Sequence, residues 1–548
     1  MLALCLLNWL SVGGIIGKLS YEHDEALAHP ALERMLDAVW HRGADSRGIR
    51  LAPGVALGWR GEEPSREADL PSTVVRSIMA VADTALTNTS ELRDALTRVG
   101  RVVRHASDAE LLAHAYDEWG DRCIAQLQGP FAVAIWDGRR RRLLLARDRA
   151  GARPLYYAML HGHGVVFAST IRALLQDPGV SREWSPAAID AYLAYGCVPA
   201  PLTPYERISK LEPAQCLIVE GRRFHLHTYW RPADETRLHD GPHTTGDFTA
   251  TLRAVMREQP ADAGILYSGG PASAALVACA PTRGVLTVGV DQDTRDVARA
   301  YALAQSLGAT PQLEIATPDV TGLAGDVASC LDEPSADPSL VTQLAVFRSV
   351  GTHVHRALAG HGAQALWSER APAPTPWPAS DRFALYTRSF AGDVHDKPAP
   401  QPTRLEGLVT ASCLARDAGI DLHFPHADPR LIGLAQSGRS HGAAALRQLT
   451  TREPSRRRRE HTWVRTAVNT LAPRLLLAGQ FDGRGMVLPS ALRQLWEEHR
   501  LGRQDHTRRF WSLLMLELWF REYVDGDGME LLVLSGRGES HDALARAA

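Results

Sequence analysis

The stretch Gly264-Ile-Leu-Tyr-Ser-Gly-Gly-Pro-Ala-Ser-Ala-Ala-Leu-Val-Ala-Cys-Ala280 sets the architecture of the second half of this chain. A short apolar run, Gly264 to Tyr267, leads into Ser268-Gly269-Gly270-Pro271-Ala272-Ser273 and then into an Ala-rich helical segment, Ala274 to Ala280. The order is strand, loop, helix, the setting in which glycine-loop amides and the positive end of the following helix can hold a pyrophosphate. Further on, the β-branched run Gly284 to Val290 alternates with the Ala/Leu-rich segment Val297 to Leu307. Such alternation predicts crossover units, and therefore a parallel sheet with helices on both faces.

Upstream the pattern is different. From Gly13 to about Trp230 the chain is strand-rich with hairpin signals, most clearly Phe131-Ala-Val-Ala-Ile-Trp136, then Asp137-Gly138, then Arg141 to Arg147. An Asp-Gly pair between apolar runs predicts a tight turn with positive φ at both turn residues. Between Asp234 and Gly246 the apolar periodicity lapses into His, Asp, Gly, Pro and Thr, which predicts a linker. With 548 residues, too many for one core, this places a boundary between domains 1–232 and 233–548.

Composition removes several classes of function. Lys and Arg number 60 against 62 for Asp and Glu, so neither nucleic acid nor an anionic membrane is expected as a partner. The seven cysteines are scattered without a CxxC pair, which argues against a zinc knuckle or a disulfide framework and fits a cytoplasmic location. Met1 to Leu10 is apolar but lacks a basic flank and is far short of a span; it reads as a buried first strand or a mis-assigned start. Arg456 to Arg459, with Glu453 and Glu460 beside it, reads as a solvated loop. Arg370 to Pro402, rich in Ala, Pro and Asp, predicts a long surface loop or insertion. Phe510 to Tyr523 predicts a mostly buried helix whose aromatics belong to the core.

Further stretches fall in a recognisable order: His41-Arg-Gly-Ala-Asp45, Ser107-Asp-Ala-Glu110, Ala146-Arg-Asp-Arg-Ala-Gly-Ala-Arg-Pro-Leu-Tyr-Tyr157, Phe167 to Leu174, Tyr192 to Pro199, Leu331-Asp-Glu-Pro-Ser-Ala-Asp-Pro338, Ala359-Gly-His-Gly-Ala363 and Phe424-Pro-His-Ala-Asp-Pro-Arg430. Together with Ser268 to Ser273, they resemble the asparagine synthetase family, which includes β-lactam synthetases and lasso-peptide cyclases. The resemblance implies an N-terminal glutaminase-like domain of stacked antiparallel sheets with helices. It also implies a C-terminal ATP-pyrophosphatase-like parallel-sheet domain. There a carboxylate is activated with ATP and Mg2+, and an amine then displaces AMP to form an amide.

Residue by residue, the resemblance is incomplete. The family's N-terminal cysteine nucleophile falls on Gly13 of Gly13-Gly14-Ile15-Ile16-Gly17, which has no side chain with which to form a thioester. Its Asn-Gly-Glu stretch falls on Asp83-Thr84-Ala85, and its carboxylate-binding arginine on Gly61, beside Arg60. Only Asp108 remains of the expected glutamine contacts, so no glutamine hydrolysis is expected and residues 13–230 read as scaffold or interface. In the second domain the resemblance assigns nucleotide contacts to Ser268, Gly269, Gly270, Ser273, Gly360 and Gly362. The acid of the first loop is replaced by Ala272, and the three of the second by His361, Gln364 and Ala365. Magnesium prefers carboxylate and phosphate oxygens, so the remaining metal candidates are Asp332, Glu333 and His361. The late basic residue, a lysine in the family, is best matched by Arg459, and the family glutamate by Asp421; these two are the catalytic candidates.

Two readings stay open. One is a degenerate relative, weakly active or inactive, that acts by binding and pairs with a protein partner such as an active paralogue, or with itself. The other is an active, AMP-forming amide ligase or peptide cyclase with rearranged metal ligands, acting on a small-molecule or peptide carboxylate.

Overall fold

The computed structural model describes residues 12–22, 29–42, 46–61, 72–75, 77–104, 107–236, 244–290, 294–316, 320–367, 377–395, 400–448, 457–478 and 480–526. The segments Met1 to Leu10 and 449–456 lie outside them, so neither the expected first strand nor the start of the Arg456 run is described.

In the first half, alternation of apolar residues on strands produces two stacked antiparallel sheets. One runs in the order Ser209–Lys210, Tyr156–Leu160, Gly164–Ala168, Val12–Ser20, Val55–Gly61, Ser46–Ala52. The other runs Arg223–Thr228, Gln215–Glu220, Arg142–Arg147, Phe131–Asp137, Ile78–Thr84, Ser72–Val75. Every second residue of a strand points to one face. Thus Ile15, Leu57, Val81, Ala134, Leu145, Phe167 and Leu217 fill the space between the sheets. The opposite face of the second sheet, with Ile78, Ala80, Val133, Ile135 and Leu144, packs on Leu92, Leu96, Leu112 and Tyr116 of the helices Thr89–Arg98 and Asp108–Trp119.

The Asp137-Gly138 hairpin forms, but not with the expected two-residue turn. The strands close at the pair Asp137–Arg142, and the residue of positive φ is Arg141 at 53°. The local hydrogen bonds explain the longer loop. Gly138 N–H donates to the Ser77 carbonyl at 2.9 Å, and the Asp137 carboxylate accepts from the Arg139 and Arg140 amides at 3.0 and 3.4 Å.

The second half contains the expected parallel sheet, in the order Pro311–Ala316, Val285–Val290, Gly264–Tyr267, Arg356–Leu358, Asp421–His423. Between strands lie helices such as Pro271–Cys279, Thr294–Ser306 and Ser339–Val350. The segment read as a surface loop is corrected by the structure: within 370–402 it forms the helices Ala379–Leu385 and Arg388–His395. Trp377, Leu385, Tyr386 and Phe390 are buried there, and Tyr386 Oη donates to Asp190 at 2.6 Å. Composition was misleading because these few apolar side chains anchor the segment among many Pro and Ala.

Near the C-terminus the apolar run folds as the buried helix Thr507–Phe520, as its density of large apolar residues implied. It docks onto the first half: Tyr192 Oη donates to the Ser512 carbonyl at 2.8 Å and Tyr205 Oη to the Tyr523 carbonyl at 2.9 Å. One hydrophobic cluster therefore runs through both halves, from Ile16 and Tyr156 to Leu414 and Trp519. Among the described residues no helix is long and apolar enough to cross a membrane.

Candidate functional site: two glycine loops and a charged seam

The strand Gly264–Tyr267 delivers the chain into the first glycine loop, and Pro271 starts the next helix in the first-turn position that proline tolerates best. Gly269 takes φ +75°, a conformation that costs little only for glycine. The Ser273 hydroxyl is turned inward. It accepts from Ser268 N–H at 3.2 Å, donates to the Gly270 carbonyl at 3.2 Å, and lies 3.3 Å from Ser268 Oγ. One amide and one hydroxyl of the loop are thus engaged within it.

The second loop, following the strand Arg356–Leu358, presses directly on the first. A methyl group placed on Gly360 would stand 2.9 Å from Ala272 Cβ and 2.9 Å from Ser273 N, so only glycine fits. Gly362 turns the chain at φ +85° into the short helix Ala363–Trp367. From the strand side, buried His426 supports the first loop, its Nε2 3.0 Å from the Ala272 carbonyl. A carbonyl can only accept, so Nε2 carries the proton. Burial pushes this imidazole down to about 4, which leaves it neutral at pH 7.

Of the metal candidates, Asp332 and Glu333 line one cavity together with Lys210 and Glu406, and His361 is not among its lining residues. His361 Nε2 pairs with Gln343 Oε1 at 2.9 Å, and its ring meets Phe424 edge-on at 6.0 Å. Asp332 accepts from Arg172 N–H at 3.3 Å; burial raises its carboxyl while Arg42 and Arg172 oppose the rise. Glu333 accepts from Lys210 Nζ at 2.7 Å, and the same ammonium reaches Glu406 at 3.2 Å and the Val198 carbonyl at 2.6 Å. Among the described residues no group of three His, Cys, Asp or Glu could hold a metal ion. Ala272 and Gly360 fill the junction of the two loops without a carboxylate, so these residues do not fit a resident magnesium ion.

Of the two catalytic candidates, Arg459 lies in the first turn of the helix Arg457–Leu475, and its side chain is outside the described residues. Asp421 is well defined and faces the other domain. Its Oδ1 accepts from Arg153 Nη2 at 2.5 Å and from Arg416 Nη2 at 3.1 Å, and its Oδ2 lies 3.3 Å from His423 Nε2. Burial alone would raise this carboxyl, but Arg153 and Arg416 hold it well below the usual carboxylate range.

Asp83, from the first domain, joins the same cluster. It is fully buried and lies 3.6 Å from Arg42, 3.5 Å from Arg153 and 3.5 Å from Arg416, at ion-pair distance. Arg42 also reaches Cys413 Sγ at 3.2 Å. Three guanidiniums and two carboxylates are therefore sealed between the domains. Reading the sequence did not assemble this seam, although Asp83, Arg153 and Asp421 all lie in segments singled out for other reasons.

In the position expected for a glutaminase nucleophile, Gly13 lies buried within the strand Val12–Ser20. Its neighbour Gly14 abuts Arg42, whose Cδ would be 3.2 Å from an added methyl. Thr84 Oγ1 donates to Asp108 Oδ2 at 2.7 Å. Burial pushes the Asp108 carboxyl up to about 6, against smaller opposing effects of Thr84 and Arg93. Arg60 is turned toward Asp37, at 3.6 Å.

Comparison with known proteins agrees with this two-part layout. Residues 12–230 match the glutamine amidotransferase domain family, and residues 248–435 and 447–521 match asparagine synthase. A Mycobacterium bovis protein named "Putative asparagine synthetase (glutamine-hydrolyzing)" is 25% identical, the match covering 91% of this chain and 94% of that protein. Asparagine synthetase (glutamine-hydrolyzing) 3 of Bacillus subtilis is 27% identical, over 49% of this chain and 45% of its own length.

Proposed function

The chain belongs to the asparagine synthase family, and we propose that it is a degenerate member, without glutaminase activity and without an ordinary Mg·ATP site, that acts by binding. The observation that carries this reading is the junction of the two glycine loops. Ala272 and Gly360 meet there with no room between them and no carboxylate on either loop. A magnesium ion neutralises charge on departing pyrophosphate, and removal of one such electrostatic group costs about 3 kcal/mol in the transition state, or ~10²-fold in rate.

The diversion of Asp421 supports the same reading. A carboxylate locked between two buried guanidiniums is held ionised and fixed. It serves to join the domains rather than to meet a substrate. In this role the first domain is a scaffold, and the chain pairs with a protein partner, an active relative or a second copy of itself, in the cytoplasm.

The retained glycine conformations, φ +75° at Gly269 and +85° at Gly362, favour one alternative. It is an AMP-forming amide ligase or cyclase of a small-molecule or peptide carboxylate, with Arg459 as its basic residue and ligands other than the family's acids around the metal. Pyrophosphate exchange into ATP, measured beside glutamate release from glutamine, separates the two. The proposed function expects neither reaction; magnesium-dependent exchange would establish the alternative.

A further inference from the structure

The strand Arg223–Thr228 forms one edge of the second antiparallel sheet, paired with Gln215–Glu220, and all six of its residues are exposed. Successive side chains on a strand point to opposite faces. His225 and His227 therefore share one face, while Phe224 and Leu226 share the other. The two imidazole centroids are 6.0 Å apart with their planes at 83°. Among the described residues neither imidazole makes a hydrogen bond, an ion pair or a second ring contact.

Two imidazoles bound to one ion through N–metal bonds of about 2.0–2.1 Å have centroids roughly 5 Å apart. The observed separation needs only a modest rotation of two solvent-exposed side chains to close. We propose that His225 and His227 form a two-histidine chelate for a borderline transition-metal dication, of the class of Ni2+, Cu2+ or Zn2+.

The ligand chemistry sets the selectivity. Imidazole suits these ions, whereas Mg2+ and Ca2+ require hard oxygen donors. Across the ladder His227 faces Cys216 and His225 faces Ile218. Cys216 is buried within the hydrophobic cluster that the sheet forms with its helices. With no third His, Cys, Asp or Glu gathered there among the described residues, the protein gives two ligands and water completes the sphere. Coordination positions remain open for a further donor.

The test is calorimetric titration of the full chain with NiCl2 in the presence of excess Mg2+, beside His225→Asn, His227→Asn and the control His161→Asn. Both strand positions are exposed, so the variants keep the fold, which circular dichroism verifies. The expected result is one Ni2+ per chain at micromolar affinity, weakened at least about tenfold by either strand substitution and unchanged by the control. The proposal is overturned if the wild-type chain binds no equivalent tighter than about 1 mM. It is equally overturned if either strand variant retains wild-type affinity.

Discussion

Arg153 of the first domain donates to Asp421 of the second at 2.5 Å, with both side chains buried. The contact closes a seam in which Arg42, Arg416 and Asp83 also take part. Desolvating charges is costly, and a buried pair of this kind contributes little relative to an apolar replacement, but breaking it from one side is severe.

Asp421→Ala leaves Arg153 and Arg416 buried without their shared acceptor. The expected loss of stability is about 3–5 kcal/mol, read as a lower midpoint in urea. Combining Asp421→Leu with Arg153→Met should cost less than the sum of the single changes, because the double variant leaves fewer uncompensated charges.

Acid should act on Asp421 and Asp108 with opposite signs. The Asp421 carboxyl lies well below its unfolded value in the fold. Its stabilisation is complete above about pH 4 and is lost as pH falls from there toward the folded value. Asp108, pushed up to about 6, binds its proton more tightly in the fold than in the unfolded chain. It therefore costs stability once pH rises from about 4 through 6. Asp108→Asn, which keeps an acceptor for Thr84, should gain about 3 kcal/mol at pH 7 and little at pH 4. Urea unfolding at the two pH values checks both signs.

Gly360→Ala forces the two glycine loops apart, because the new methyl would sit 2.9 Å from both Ala272 Cβ and Ser273 N. Overpacking of this kind costs about 1–3 kcal/mol. A lower melting temperature, with near-native circular dichroism at 25 °C, is the expected outcome.

Restoring acids to the loops tests whether the cradle is still formed. Ala272→Asp together with His361→Asp should introduce magnesium-dependent affinity for an ATP analogue of at least about tenfold over magnesium-free conditions, equivalent to ~1.4 kcal/mol. An unchanged titration would mean that backbone geometry alone does not make the site.

Much of the architecture was legible because it rests on local signals. Gly264 to Ala280 announces strand, loop and helix through its apolar run, glycines and proline, and the structure places them as read. Phe510 to Tyr523 announces burial through its density of large apolar residues. The hairpin at Asp137-Gly138 was read in kind but not in turn type, since the Ser77 carbonyl that captures Gly138 N–H is 61 residues away in sequence. Trp377, Tyr386 and Phe390 were hidden by the Pro and Ala around them. The seam was illegible for a different reason: Arg42, Asp83, Arg153, Arg416 and Asp421 meet only when two domains close, and no periodicity connects them.

The central claim is that the loop junction no longer holds Mg·ATP. Calorimetric titration of the full wild-type chain with a non-hydrolysable ATP analogue, with and without magnesium, tests it most directly. The account expects no magnesium-dependent binding. Micromolar affinity that appears only with magnesium would contradict it, because other residues would then be holding the metal.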